Sequence, residues 1–319
     1  MGSAMAVVAR GRGHKVTLWG TWLDDALLDP VVSGEVHPRL KLGLEGLRIL
    51  RSAALGEALS GAELVIHAVN SDGAVPVMQR ASAHLPDVPV VSVTKGLLPG
   101  ASGRMERVDQ VLAQTAGRPL RFVHAAGPAK AMEVSRGILT WMHFAGADAQ
   151  VGAAALAGDH LQIGTSDDIA GAELCSALKN AYATGLGLWD GLLGPDAHDA
   201  RAACFTQAIK EMTLLVVAGG GRAETVMGAA GVGDLHVTAA GGRNRAFGER
   251  VGRGKPARQV AEEMLAAGEL TEGYAAIRAA LRFAREQGAG DLPLLGALHA
   301  IVWEGGDPSP ILRSLRLWV

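Results

Sequence analysis

Two textures of apolar patterning divide the chain. Up to about residue 166, apolar residues fall in short runs separated by helical stretches. The runs ELVIHAVN (63–70), PVVSVTKG (89–96), RFVHAAGP (121–128), LTWMHFAG (139–146) and HLQIGTS (160–166) read as strands. Ser71 and Asp72 are expected to cap a helix running to His84. Strands interleaved with helices predict an α/β unit with a largely parallel, doubly wound sheet over residues 1–166. Beyond residue 170 no strand-like alternation appears. DDIAGAELCSALKNAYATGLGLWDGL, RAACFTQAIKEMTLLVVAG, ARQVAEEMLAAG, TEGYAAIRAALRFAREQ and LLGALHAIVWEG carry apolar residues at three- and four-residue steps. An all-α unit is therefore expected over 167–319, and a bipartite plan of this kind suits an enzyme that binds a nucleotide and a second substrate.

The opening MGSAMAVVARGRGHKVTLWG reads as a helix closed near Gly13, then a strand. A dinucleotide-binding βαβ unit runs strand, G-x-G-x-x-G, helix, strand. Here Gly2 stands where the third glycine belongs, and no first strand precedes it. The chain is thus expected to begin inside its first βαβ unit, the natural product starting roughly ten residues upstream. Met1 and Gly2 at the helix start, with Trp19 and Thr21 at the end of the next strand, are the expected cofactor contacts. No acid stands at Trp19-Gly20-Thr21 to read a ribose 2′-hydroxyl, so NAD or NADP is expected, with NADP mildly favoured.

Composition narrows the class. A hydrophobic share of 49% with 19% charged residues is that of a core-forming chain. A net charge of −2 gives no footprint for nucleic acid. No apolar run reaches the roughly 18 residues that would span a bilayer, so no membrane insertion is expected. Cys175 and Cys204 lie in apolar helical contexts and read as buried thiols, which points to the cytoplasm. Asp196, His198 and Asp199 could suggest a metal, but Asp196 reads as a helix cap and no metal is expected. His236 beside Asp234 reads as packed or solvated. A Ser-His-Asp hydrolase finds no G-x-S-x-G.

Three later stretches hold the chemistry. Lys179 lies mid-way along a mainly apolar helix, where a snorkelling side chain is the ordinary explanation. GAAGVGDLHVTAAGGRNRAFGERVGRG (228–254) reads as a flexible, glycine-rich loop, or as backbone folded around a phosphate with a guanidinium forked onto it. Glu272 opens a helix, where a carboxylate suits the dipole.

VTKGL (93–97), GPAKAMEV (127–134), ELCSALKNAYATGLGLWDGL (173–192), GVGDLHVT (231–238), GGRNRAFG (241–248) and TEGYAAI (271–277) resemble, in order and at family spacing, the signature blocks of NAD(P)-dependent glycerol-3-phosphate dehydrogenases. LWGT (18–21) and GEVHPRL (34–40) are most similar to the archaeal-type branch. The resemblance spans nearly the whole chain and implies a Rossmann-type domain followed by a helical one. It implies that Lys179 is the general acid toward a ketone and base toward an alcohol, and that Lys95 touches substrate and cofactor. It makes Asp234 the active-site aspartate and Thr238 a substrate neighbour. Arg243 and Asn244 would grip the substrate phosphate, with Arg243 also near the cofactor. Gly127 would contact substrate, while Ala131 and Glu272 would lie on the cofactor side. The substrate would be a triose phosphate, reduced to feed lipid synthesis; a homodimer is left open. Ala129 and Gly242 stand where many relatives carry serine. The rival readings are a related dehydrogenase for another small phosphorylated or hydroxy-acid substrate, and a non-catalytic NAD(P)-binding sensor.

Overall fold

The computed structural model describes residues 1–316. The chain forms two compact units. One comprises Met1–Lys95 with Val108–Ile169; the other comprises Gly96–Arg107 with the chain from Ala170 onward.

The first unit opens on α1 (Gly2–Gly11), β1 (Thr17–Trp19), α2 (Asp25–Val32) and β2 (Arg48–Leu50). Then come α3 (Leu55–Leu59), β3 (Val65–His67), α4 (Ser71–Ala81) and β4 (Val90–Ser92). The excursion into the second unit carries β5 (Leu97–Pro99) and β6 (Met105–Arg107). After it the first unit resumes with α5 (Val108–Ala116), β7 (Phe122–Ala126), α6 (Ala131–Ser135), β8 (Thr140–Ala145), α7 (Ala149–Leu156) and β9 (Leu161–Ser166). All five apolar runs are strands, as their patterning predicts.

The sheet is in two pieces. A five-stranded sheet has the order β3-β4-β7-β8-β9, and β1 pairs only with β2 in a second, parallel sheet. Every pairing in the larger sheet is parallel except β7 with β8. Among the described residues no ladder joins β1 to β3, and α1 packs against both. Ala4, Met5 and Ala9 of α1 meet Val91, Val123 and Phe144 of the sheet, with Ala153 and Leu156 of α7 beside them. Each large side chain buried there contributes about 1.5–3 kcal/mol. All of β4 and all of β7 are buried, as expected of strands covered on both faces. The helix after β3 starts differently from expectation: Asn70, not Ser71 or Asp72, is the cap, and its side chain accepts from the Gly73 N–H at 2.9 Å.

In the second unit α8 (Ile169–Leu193) is buried along every residue from 171 to 190, so it is the axis of this unit. Around it lie α9 (His198–Ala218), α10 (Ala223–Met227), α11 (Asp234–Ala239) and α12 (Arg243–Gly252). α13 (Ala257–Ala266), α14 (Glu272–Gln287), α15 (Pro293–Trp303) and α16 (Pro308–Ser314) complete it. The stretch 228–254 is not a loop. A π-helical turn over Ala229–Gly233 leads into α11, and α12 follows within four residues. Asp196 is not a side-chain cap either; its backbone carbonyl accepts from His198 N–H, and Ala197 occupies the cap position of α9.

Glycine explains how close the helices come. A Cβ on Gly187 of α8 would fall on the Arg245 carbonyl of α12, and one on Gly191 on the Glu249 carbonyl. Reciprocally, a Cβ on Gly248 would fall on the Thr184 carbonyl, and one on Gly252 on the Leu188 carbonyl. Two glycines one turn apart on each helix thus bring backbone against backbone. The β5–β6 hairpin is tied to α14: Arg104 Nη2 donates to the Glu286 carbonyl at 2.6 Å and Met105 N–H to Glu286 Oε2 at 2.7 Å.

Candidate active site

In the second unit Lys179 faces inward from α8, only 6% exposed. Its Nζ donates to Asp234 Oδ1 and, at 3.0 Å, to Thr238 Oγ1. Asp234 is the first residue of α11, where the helix dipole favours a carboxylate. Thr238 lies one turn on, and its hydroxyl proton goes back to the Asp234 carbonyl at 2.6 Å. That leaves the Thr238 oxygen to accept from the ammonium. Two acceptors therefore fix the direction of a buried amine, which would otherwise cost several kcal/mol. The expected trio Lys179, Asp234 and Thr238 is brought together across 59 residues of sequence.

Beside it runs a second network. Asn180 Nδ2 donates to Glu272 Oε2 at 2.7 Å, and Asn180 Oδ1 accepts from Asn244 Nδ2 at 2.8 Å. Asn244 Oδ1 accepts from the Gly273 N–H at 2.9 Å. The starts of α12 and α14 are thereby joined to α8 next to Lys179. One of the two Asn244 amide hydrogens is used in this network. Arg243 is exposed at the first position of α12, after Gly242 with its φ of +135°. A serine at Gly242 would be strained in that backbone, so glycine suits the shape of this chain there. Asp190 anchors the same helix start, accepting from Arg245 Nε at 2.7 Å and from Arg201 Nη1 at 2.9 Å.

The remaining candidates belong to the first unit. Gly2 begins α1, and a Cβ there would stand 3.1 Å from the Ala68 Cβ just past β3. This is the close helix–strand packing that the third glycine of a dinucleotide fingerprint serves. No side chain caps α1. Burial, and behind it the Arg39 guanidinium, lower the pKa of the Met1 amine. An uncapped helix start beside an arginine fits a pyrophosphate. Trp19 closes β1 with its indole Nε1 buried and unpartnered among the described residues. Thr21 donates its N–H and hydroxyl to Asp24 Oδ2, at 2.9 and 2.6 Å. An acid therefore does stand at the end of β1, supplied from five residues past the strand and missed by a reading confined to Trp19-Gly20-Thr21.

Lys95 is half-buried after Thr94, beyond the end of β4. Gly127 follows β7 with φ +115°, and a Cβ would stand 3.1 Å from the Met142 Cα. Its glycine is required by the neighbouring strand whatever it binds. Ala131 opens α6 and packs on the core against α1. Among the described residues no group of three or more metal-ligating side chains occurs, and no helix is long and apolar enough to cross a membrane.

Residues 1–152 match the profile described as the NAD-dependent glycerol-3-phosphate dehydrogenase N-terminus, and residues 168–313 match the C-terminus of the same family. A relative from Archaeoglobus fulgidus, named NADP(+)-dependent glycerol-3-phosphate dehydrogenase, is 32% identical over 99% of this chain and 96% of its own length. One from Thiobacillus denitrificans, glycerol-3-phosphate dehydrogenase [NAD(P)+], is 35% identical over 95% of this chain and 90% of its own. The crystal structure of a Coxiella burnetii glycerol-3-phosphate dehydrogenase superposes with a TM-score of 0.85 at 28% identity, over 98% of this chain and 95% of that one. With both profiles matched in order and relatives above 30% identity nearly end to end, the chain belongs to the NAD-dependent glycerol-3-phosphate dehydrogenase family.

Proposed function

We propose that this chain interconverts dihydroxyacetone phosphate and sn-glycerol 3-phosphate with NAD(P)H, in the cytoplasm. The observation that carries the reading is the ammonium of Lys179, buried in an apolar helix and aimed by Asp234 and Thr238. A residue with only a packing role would not carry a charge into that position.

When bound, the cofactor supplies the hydride that C2 of the ketone accepts. Lys179 Nζ gives the proton to the developing alkoxide and takes it back in the reverse direction. Asp234 and Thr238 hold that amine in line. Arg243, exposed at the start of a ten-residue helix, offers a fork to the phosphate, and the helix dipole adds to it. The second amide hydrogen of Asn244 adds a contact to that anion, and in the first unit Lys95 is the candidate contact for substrate and cofactor. Gly2 and the free N–H groups that follow it would receive the cofactor's pyrophosphate. Names of the relatives support either cofactor. NADP stays favoured by the Archaeoglobus relative's name, with the Asp24 carboxylate at the ribose end as the counterweight. Cys175 and Cys204, both buried and neither in a disulfide, suit a reducing compartment.

The test is oxidation of NADPH and of NADH with dihydroxyacetone phosphate, for the chain and for Lys179→Met. The wild type turns over and the variant loses at least a hundredfold in kcat. A Lys179→Met variant that keeps the wild-type rate refutes the assignment.

A further inference from the structure

His67 closes β3 and is buried, with 7% exposure, yet has no part in the chemistry above. Its Nδ1 lies 3.1 Å from Ser92 Oγ and 3.0 Å from Thr94 Oγ1. Thr94 has one hydroxyl proton, which it donates to the Val69 carbonyl at 2.8 Å. Toward the imidazole that oxygen has only a lone pair to offer. Ser92 Oγ, in turn, accepts from the Thr94 N–H at 3.2 Å. Two lone pairs facing each other at 3.0 Å would repel, so it is the Thr94 contact that places the ring hydrogen on Nδ1, pointing at Thr94. Nε2 then carries the lone pair, and among the described residues it has no partner. Burial alone lowers the ring's pKa to about 4, so the ring is neutral at working pH.

Thr94 is the residue before Lys95. The β3–β4 ladder ends at Ser92, followed by one backbone bond from Val93 N–H to the His67 carbonyl at 3.0 Å. Beyond it, the bonds through the Thr94 hydroxyl hold the backbone. Gly96, with φ +148°, follows at once as the chain leaves for the second unit. Lys95 thus lies between Thr94, tied down by its hydroxyl, and β5, which begins at Leu97.

We propose that His67 is a positioning residue for the reaction: as the Nδ1–H tautomer it clamps Thr94, and through Thr94 it fixes the backbone that carries Lys95. The inference rests on the reading of Lys95 as a substrate and cofactor contact. Leucine fills the same space without a donor. Asparagine keeps a nitrogen donor near the Nδ1 position.

Steady-state kinetics of His67→Leu, His67→Asn, Lys95→Ala and the His67→Leu/Lys95→Ala pair test it. His67→Leu should lose roughly tenfold in kcat with KM for dihydroxyacetone phosphate changed less than twofold, as small misplacements of a reacting group do. His67→Asn should recover most of the loss. In the Lys95→Ala background His67→Leu should cost nothing further, because the clamp has nothing left to place. Thr94→Val removes the acceptor from the other end and should match His67→Leu, which covers a leucine variant that folds poorly. Wild-type kcat in both His67→Leu and Thr94→Val overturns the clamp, as does multiplication of the His67 and Lys95 effects. Wild-type kinetics in Lys95→Ala overturns the reading of Lys95 itself, and the clamp with it.

Discussion

Inside α8 the Lys179 amine meets Asp234 and Thr238, 55 and 59 residues away. The pair is mutually dependent. Lys179→Met takes the ammonium away from the buried Asp234 carboxylate, which should cost up to about 3–5 kcal/mol as well as turnover. Lys179→Met/Asp234→Asn removes both charges, so urea unfolding should show most of that loss restored while activity stays absent. Recovery of activity in the double variant would contradict the proton-transfer role. For Arg243 the proposed task is to grip the substrate phosphate. Losing a charge-assisted contact to the phosphate should lower kcat/KM of Arg243→Ala for dihydroxyacetone phosphate about ten- to a hundredfold. The same variant acting on dihydroxyacetone, which has no phosphate, should match the wild type. A loss of equal size on both substrates would remove the phosphate-binding assignment.

Between elements, the contact of α8 with α12 decides whether those residues can meet. Gly248 and Gly252 lie on α8 backbone where a methyl group has no room. Gly248→Ala should push α12 away and destabilise by more than 2 kcal/mol, taking phosphate affinity with it because Asn244 and Arg243 ride on that helix. Gly296 in α15 is the contrast, since a Cβ there meets nothing within 4 Å. Gly296→Ala should stabilise by up to about 1 kcal/mol. Thermal unfolding of the two variants checks both signs. Capping works between elements as well. Glu211 of α9 accepts from Leu294 N–H at 2.7 Å and Leu295 N–H at 2.9 Å, closing the start of α15, and also from Tyr182 and Gln207. Burial raises its pKa even so.

At the scale of the whole molecule, stability should depend on pH through His67. Its pKa falls from 6.5 to about 4 on folding, so between those values the unfolded chain binds more protons. The stability due to the neutral ring is present above pH 6.5 and lost as pH falls toward 4, amounting to roughly 3 kcal/mol. His67→Leu should flatten the unfolding free energy over that window, and an unchanged slope would contradict the buried neutral ring. The order of strands and helices, the change of texture near residue 167 and the oddity of a lysine in an apolar helix are all written in local periodicity, because burial on one face or all round imposes it. Local patterning also placed Gly2, a helix start that only a small residue can press against Ala68. It could not place Asn70 as the cap, nor foresee helices in 228–254, since glycine lowers helix propensity and only contact with α8 offsets it. Asp24 on Thr21 and the hydroxyls around His67 were equally hidden. The amino-acid sequence by itself determined the five apolar strands of the first half, the long helices of the second and which charges stand in apolar surroundings. Partners of those charges were decided by the tertiary structure alone, since Asn180 with Glu272 and Asn244, or His67 with Thr94, join residues 92, 64 and 27 positions apart, and no local preference reaches that far.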